Sequence, residues 1–578
     1  MVPVAKGGKG VTRFSNLLEA LAAAPGDRPF VTFWVDEDER ETLTFAEFRS
    51  HAHMQAAVLH ARGVGVGDRI VIIMPQSIAA MTAFVGAMML GAVPAFLAYP
   101  NFKIEPSKYR DGLAGVTANL KAKAVVIDED FPPEFLEHIA IGRETTVLRA
   151  GDHSQLSSAA QIPPLECNAD DLAFIQHSAG TTGLQKGVAL THRAVLRQIE
   201  RLAQALNIDG AADRIYSWLP LYHDMGLIAC FMLPLVCHVP VVMQSPLDWV
   251  MHPETMLQII SECKCTLAWM PNFAFQFVPR RTRPNLRTAH DLSSLRALIN
   301  CSEPVRSSSL SEFRKAFESA GLKGDALQSS YAMAENVFAV TQSDVRQTSG
   351  LAQVWVQGQA FRAEGRVVRV AEGTTGAMPF ASSGRLLPGN EIRIVSEAGE
   401  SRAEGCVGEI QLKSDSLFTG YYNRPDLTAQ AMVDDWYPTG DLGFCLDGEL
   451  FVVGRKKDLL IVGGENFYPQ DIEECIATHP AIHDGRVVAL GLYSPALGTE
   501  EIIAIAEVEN EDFLLHGLEI EGEIRKRVVE TIGIAMRTEF LKPPTWIVKS
   551  TAGKPARSAT REKLMKEHPE LDPEARGN

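Results

Sequence analysis

The run Ser178-Ala179-Gly180-Thr181-Thr182-Gly183-Leu184-Gln185-Lys186-Gly187 constrains this chain more than any other stretch. Three glycines, three hydroxyls and a lysine stand within ten residues. Glycines, lacking Cβ atoms, let backbone N–H groups turn toward an anion. Hydroxyls donate hydrogen bonds to phosphate oxygens, and the lysine adds a compact positive charge. Residues 172–176 read as a strand and Val188-Ala189-Leu190 as the next, so the run is a loop delivered by a strand. The spacing does not fit Gly-x-x-x-x-Gly-Lys followed by Ser or Thr, which disfavours a P-loop ATPase. Taken alone, the same residues also suit a polar turn between strands.

Around this loop, helical and strand patterns alternate. Residues 45–61 have helical spacing behind Thr44, a suitable N-cap. Residues 69–74 and 124–127 are short β-rich runs. Thr191 precedes a helical pattern with Val195, Ile199, Leu202 and Leu206 on one face. Such alternation predicts a layered α/β architecture. From Gly384 the texture turns β-rich, over 391–395, 409–412 and 450–453. A second unit starts near Lys457, with the apolar run 459–462, a helix from Asp471, strands near Val487 and Ile502, and a helix over 518–529. The charged tail 562–578 reads as a helix end followed by a frayed terminus.

Two apolar stretches, 79–98 and 226–243, approach the length of membrane spans. The first holds Gly86, Gly91 and Pro94, the second Pro234, His238 and Pro240, so each reads as a buried helix running into a buried strand. The first ten residues lack the apolar core of a signal peptide. A formal charge of −16 gives the chain no general attraction for nucleic acid or anionic lipid. Nine cysteines without framework spacing, and no histidine set beside Cys263 and Cys265 to complete a zinc site, point to reduced residues in the cytoplasm.

Four further motifs follow the glycine loop in order: Tyr331-Ala332-Met333-Ala334-Glu335, Tyr437-Pro438-Thr439-Gly440-Asp441, Gly454-Arg455-Lys456-Lys457-Asp458 and Gly553-Lys554. Together with the loop they resemble the adenylate-forming superfamily of acyl-CoA synthetases, peptide-synthetase adenylation domains and luciferases. Within it, residues 218–228, Asn300-Cys301-Ser302-Glu303-Pro304-Val305 and residues 466–473 look most like fatty acyl-AMP ligases. Between Glu335 and Gly384 lie 48 residues. Typical acyl-CoA synthetases are roughly 20 residues shorter there, and the acyl-AMP ligases carry an insertion, which 361–380 would supply.

The resemblance implies a large N-terminal domain of layered α/β subdomains plus a β-rich subdomain (1–455), a hinge (456–458, centred on Lys457) and a small mobile α+β C-terminal domain (459–578). It implies ATP-dependent activation of a carboxylic acid to an acyl-adenylate with release of pyrophosphate, as in fatty acid, lipid or polyketide metabolism. Ser178, Gly180, Thr181, Thr182, Gly183 and Lys186 would hold the ATP phosphates, and Glu335 would bind Mg²⁺. Ser302, Glu303, Pro304, Ser330, Tyr331, Ala332 and Met333 would surround the adenine, with Tyr331 stacking on it. Asp441 would take the ribose hydroxyls, with Arg455 beside the ribose or phosphate. Lys554 would be the catalytic cation between carboxylate and α-phosphate, and His223 would line the acyl or phosphate end. For Arg455 and His223 a domain-junction ion pair and a hydrogen-bonded core histidine are comparable readings.

The acceptor implied is the phosphopantetheine thiol of an acyl carrier protein, with coenzyme A as the alternative. Apolar runs at 228–233, 273–277 and 337–340 suit a fatty or aryl acid, while Asp224 keeps amino acids open. Arg280, Arg281, Arg283 and Arg287 form a basic patch that suits an acidic carrier protein or a solvated loop. The sequence departs from the family loop at Ala179 and Gln185 and from the tyrosine motif at Ala332. Those departures leave room for a slow enzyme, or for a homologue that binds nucleotide without turnover.

Overall fold

The computed structural model describes residues 14–36, 38–100, 106–139, 145–150, 161–177, 186–348, 350–494, 497–549 and 554–571. The glycine-loop residues Ser178, Gly180, Thr181, Thr182 and Gly183, together with Gly553 and the tail 572–578, lie outside them.

Helix Phe45–Ala61 starts where Thr44 demands it. The Thr44 hydroxyl accepts from Glu47 N, and Glu47 Oε2 accepts from Thr44 N at 2.8 Å, a reciprocal cap. Its neighbour Ile78–Met89 is apolar almost all round, so it is buried and runs into the buried strand Val93–Phe96. The second apolar stretch likewise divides into a wide helical run, Met225–Met232, the short helix Leu233–Cys237 and the strand Val241–Gln244. No helix of the described residues is long and apolar enough to cross a membrane.

A nine-stranded sheet forms the centre. Its inner strands, Leu327–Ala332, Ala297–Asn300, Leu267–Met270, Ile215–Ser217, Val241–Gln244 and Pro29–Trp34, run parallel. All but Pro29–Trp34, which is partly exposed, are buried on both faces, as a parallel sheet between helices requires. A four-stranded parallel sheet of Val93–Phe96, Arg69–Ile73, Ala124–Ile127 and Thr146–Arg149 flanks it. The β-rich part is an antiparallel sheet of Asn390–Val395, Gly408–Ser414, Tyr437–Leu446 and Glu449–Arg455. Beyond Lys457 the chain builds separate cores around Ile482–Ser494, Thr499–Val508 and the helix Gly517–Ile532.

Residues 361–380 fall within an ordered hairpin. Strands Gln353–Gln357 and Ala377–Ala381 pair antiparallel, with helix Gly358–Glu364 between them. Phe361 packs on Phe380 at 4.7 Å between ring centres, and on Phe444 and Tyr468 at about 6 Å.

Buried histidines, His177 and His192, make the fold acid-sensitive, and His192 shows how. Burial lowers His192 from 6.5 to about 4, and its Nδ1 accepts a hydrogen bond from Leu17 N, which needs that nitrogen bare. The unfolded chain takes up this proton first as pH falls below 6.5, so stability is complete above that value and is lost between 6.5 and 4. At about 1.4 kcal/mol per unit, the ring withdraws up to roughly 3 kcal/mol over this window. In melting curves against pH, His192→Gln should flatten the fall between pH 6.5 and 4; an unchanged slope would remove His192 as its source.

Candidate active site

The expected residues that the structure describes fall into three groups. In the first, strand Leu172–His177 leads toward the glycine loop and Gly187–Thr191 leads away from it. The short strand Gly420–Tyr421 pairs antiparallel with the latter, which brings Tyr421 to Lys186. The Lys186 ammonium lies 4.5 Å over the Tyr421 ring. The Tyr421 hydroxyl donates to Glu335 Oε1 at 2.8 Å and stands 3.3 Å from the Tyr437 hydroxyl. Burial, then the Glu335 charge, raises both phenols, so they stay neutral hydroxyls.

Glu335 occupies a single tight turn, Ala334–Asn336. The turn leaves through Val337 at φ 64°, ψ −54°, with Phe338 N donating back to Asn336 O at 2.6 Å. This three-residue turn is strained for a β-branched residue, at about 1–3 kcal/mol. Val337 is fully buried, and the Glu335 carbonyl accepts from Phe418 N at 2.8 Å, so packing and this bond hold the turn.

The second group centres on Asp441. It pairs in register with Arg455 across the antiparallel strands Tyr437–Leu446 and Glu449–Arg455. Its Oδ2 accepts from the Tyr331 hydroxyl at 2.6 Å, and its Oδ1 lies 3.5 Å from Arg455 Nε. Burial raises this carboxyl above its usual range. Arg455 and Tyr331 pull it down, while Glu335 and Asp458 push it up. Ser330, one residue before Tyr331, gives its hydroxyl to the Thr341 carbonyl at 2.7 Å, and Ala332 and Met333 continue the chain toward Glu335. The Tyr331 ring is largely buried with Val340 and Ile410.

The third group joins distant segments. Lys554 Nζ donates to the Ser302 carbonyl at 2.5 Å, across 252 residues of chain. Ser302 holds φ at 71°, the left-handed region. Next to it, Glu303 Oε2 accepts from Phe273 N at 2.9 Å, and Pro304 is partly exposed. His223 Nδ1 lies 2.6 Å from Asp224 Oδ1, which also accepts from Met225 N at 2.7 Å. Burial pushes the Asp224 carboxyl up, but His223, the Met225 N–H and Lys554 outweigh it and hold it below the carboxylate range.

Two ammonium groups, Lys186 in the first group and Lys554 in the third, have no ion-pair carboxylate within 4 Å among the described residues. Cations in that state suit phosphate oxygens. Glu335 is a carboxylate bonded to a phenol, with no arginine or lysine against it among the described residues. No group of three or more ligating side chains occurs among them. That pattern fits a magnesium ion that takes one carboxylate from the protein and its other ligands from substrate phosphate and water.

An aromatic wall adjoins the third group. Trp218 and Trp249 stack at 3.6 Å with planes 3° apart, and Phe273 stands edge-on to both. In the basic patch, Arg280 is clamped by Glu312 and Arg287 bonds the Pro279 carbonyl, while Arg281 covers the Phe277 ring. Sequence reasoning gave no role to Tyr421 or Tyr437. Tyr437 opens the motif that carries Asp441, and a tyrosine beside a motif carboxylate is the signal that was available.

Known proteins resemble this chain along most of its length. The model of the family "AMP-binding enzyme" matches residues 18–422. The long-chain-fatty-acid–AMP ligase FadD26 of Mycobacterium bovis is 30% identical, over 90% of this chain and 91% of its own. The medium-chain-fatty-acid–acyl-carrier-protein ligase JamA of Moorena producens is also 30% identical, over 92% of this chain and 91% of its own. A chain solved in structural and functional studies of fatty acyl-adenylate ligases from E. coli and L. pneumophila superposes with a TM-score of 0.89 at 28% identity, covering 96% of this chain and 99% of that one. The chain belongs to the AMP-binding enzyme family and is an AMP-forming ligase. The resemblance to fatty acyl-AMP ligases read from the motifs holds along almost the whole chain.

Proposed function

We propose that this protein activates a fatty acid with ATP and then hands the acyl group to the thiol of an acyl carrier protein. In the first step a carboxylate oxygen forms a bond to the α-phosphorus, the bond to the β-phosphate oxygen breaks, and pyrophosphate leaves. Catalysis of such a step is positioning and charge neutralisation. Lys554 meets the charge that grows between carboxylate and α-phosphate, and Lys186 with the glycine loop holds the phosphate tail. Glu335 would hold Mg²⁺, which would neutralise phosphate charge there. Asp441 takes the ribose, with Arg455 beside it, and residues 302–304 and 330–333 enclose the adenine. His223, fixed by Asp224, lines the acyl end, where Trp218, Trp249 and Phe273 offer an apolar wall.

The observation that carries this reading is the convergence of Lys554 on Ser302, beside the Asp224 loop. The test is ATP–pyrophosphate exchange over a panel of carboxylic acids. Exchange stimulated by medium or long fatty acids is expected; no stimulation by any acid would overturn the proposal. Product analysis with coenzyme A and with a holo carrier protein then decides the acceptor. The names of FadD26 and JamA support the fatty acid, and that of JamA supports the carrier protein. Nine free cysteines support a reducing, cytoplasmic setting.

The same proposal divides the chain into 1–455, a hinge at 456–458 and a mobile unit at 459–578. Separate cores beyond Lys457 support the division. Lys457 lies in the single turn Lys456–Asp458. Proline there fixes φ near −65° and locks the present pose. Lys457→Pro should leave exchange within about twofold and slow acyl transfer to the thiol by about tenfold or more. Equal loss in both assays would argue against a hinge at this residue.

A further inference from the structure

The segment that receives Lys554 also makes a second long-range contact. Four residues after Ser302, Arg306 Nη1 donates to Asp471 Oδ1 at 2.6 Å, and its Nε lies 3.6 Å from Glu474 Oε2. Ser308 Oγ adds a bond to Glu474 Oε1 at 2.5 Å. Asp471 and Glu474 stand three residues apart on helix Pro469–Ala477, hence on one face. The pair Arg306–Asp471 is about one-fifth exposed on each side, so water screens it less than a surface pair.

That helix is itself tied to the lysine. Arg557, three residues after Lys554, donates through Nη2 to both Glu473 oxygens at 2.8 and 2.6 Å and through Nη1 to Asp458 at 3.2 Å. Glu473 in turn accepts from Ala489 N at 2.9 Å. The contacts close a ring: Arg306 to Asp471 and Glu474, along the helix to Glu473, through Arg557 to Lys554, and back to Ser302. One short segment, 302–308, thus registers both the helix and the lysine.

We propose that Arg306 is a positioning residue that docks helix Pro469–Ala477 for adenylate formation, and that its ion pairs open before acyl transfer. This rests on reading 459–578 as a mobile unit and names what holds that unit in one of its poses. The contact has the character of a reversible one. It is charged rather than apolar, and Arg306 Nη2 and Ser307 Oγ are buried there without a hydrogen-bond partner among the described residues. Buried polar atoms left unpaired favour letting go. A charge pair between complementary surfaces supplies orientation more than net stability.

The experiment compares the wild type with Arg306→Ala, the near-isosteric Asp471→Asn, the charge exchange Arg306→Asp/Asp471→Arg, and Lys554→Ala. Arg306→Ala should lower the maximal rate of ATP–pyrophosphate exchange by about 10- to 100-fold through misplacement of Lys554, with the KM for ATP within about twofold. Asp471→Asn should do the same more weakly. The melting temperature should stay unchanged in both, and the charge exchange should recover most of the lost rate. Acyl transfer from a preformed fatty acyl-adenylate, to whichever of coenzyme A and holo carrier protein the wild type uses, should be unchanged or faster in Arg306→Ala. Wild-type exchange in Arg306→Ala, or equal losses in exchange and transfer, or no recovery in the charge exchange, would overturn the role of Arg306. If Lys554→Ala is inactive while Arg306→Ala exchanges normally, the docking role alone fails. If Lys554→Ala exchanges normally, the reading beneath it fails too.

Discussion

Lys554→Ala is expected to reduce adenylate formation by about 10³-fold or more, some 4 kcal/mol of transition-state stabilisation, without unfolding the protein. The ammonium donates to one neutral carbonyl, Ser302 O, and the buried Asp224 carboxylate that it helps to stabilise keeps His223 and the Met225 N–H as partners. Its effect on stability should therefore stay within about 0.5 kcal/mol. In the proposed reaction the charge acts when negative charge grows at the α-phosphate, so the loss should fall on the maximal rate rather than on ATP affinity. Lys554→Arg should remain impaired, because a planar fork does not replace a compact ammonium at a crowded carbonyl. ATP–pyrophosphate exchange with a saturating acid, beside a melting curve, gives the answer. Exchange in Lys554→Ala within about tenfold of wild type would remove Lys554 from the reaction.

Local structure was legible from local signals. Thr44 marked a helix start, and the structure adds a reciprocal cap with Glu47 there. Glycines and prolines inside two apolar stretches argued against membrane spans, and both stretches divide into helix and strand. The helix read from Asp471 begins two residues earlier, because Pro469 suits a first turn where its missing N–H is not needed. The site was legible only as motifs, through resemblance. What binds the motifs to one another depends on contacts across 86, 110, 165 and 252 residues, for Glu335–Tyr421, Tyr331–Asp441, Arg306–Asp471 and Ser302–Lys554 respectively. No periodicity encodes such separations, since they follow from which strands pair and which helices dock. Arg306 and Asp471 look like ordinary helix-end charges in sequence, and only the fold brings them together.

Gly226→Ala should be the most damaging single-methyl change near the site, at about 3 kcal/mol or more. A Cβ at Gly226 would collide with the Pro220 carbonyl oxygen and lie 2.8 Å from that of Leu219. Both obstacles are backbone, so no side chain can swing aside. Pro220 O also accepts from His223 N at 3.1 Å, and His223 O accepts from Leu227 N at 2.8 Å. The turn cannot retreat from the new methyl without shifting His223 and the Asp224 carboxylate beside it. Loss of melting temperature and loss of exchange should therefore come together. Gly522→Ala is the control, because Gly522 is exposed inside helix Gly517–Ile532 and a Cβ there meets nothing within 4 Å. Alanine at that position should stabilise by about 0.5–1 kcal/mol through the helix alone. A Gly226→Ala protein that melts and turns over like the wild type would mean that the 219–226 turn is not packed as tightly as its carbonyls indicate, and would take with it the argument that this turn fixes His223.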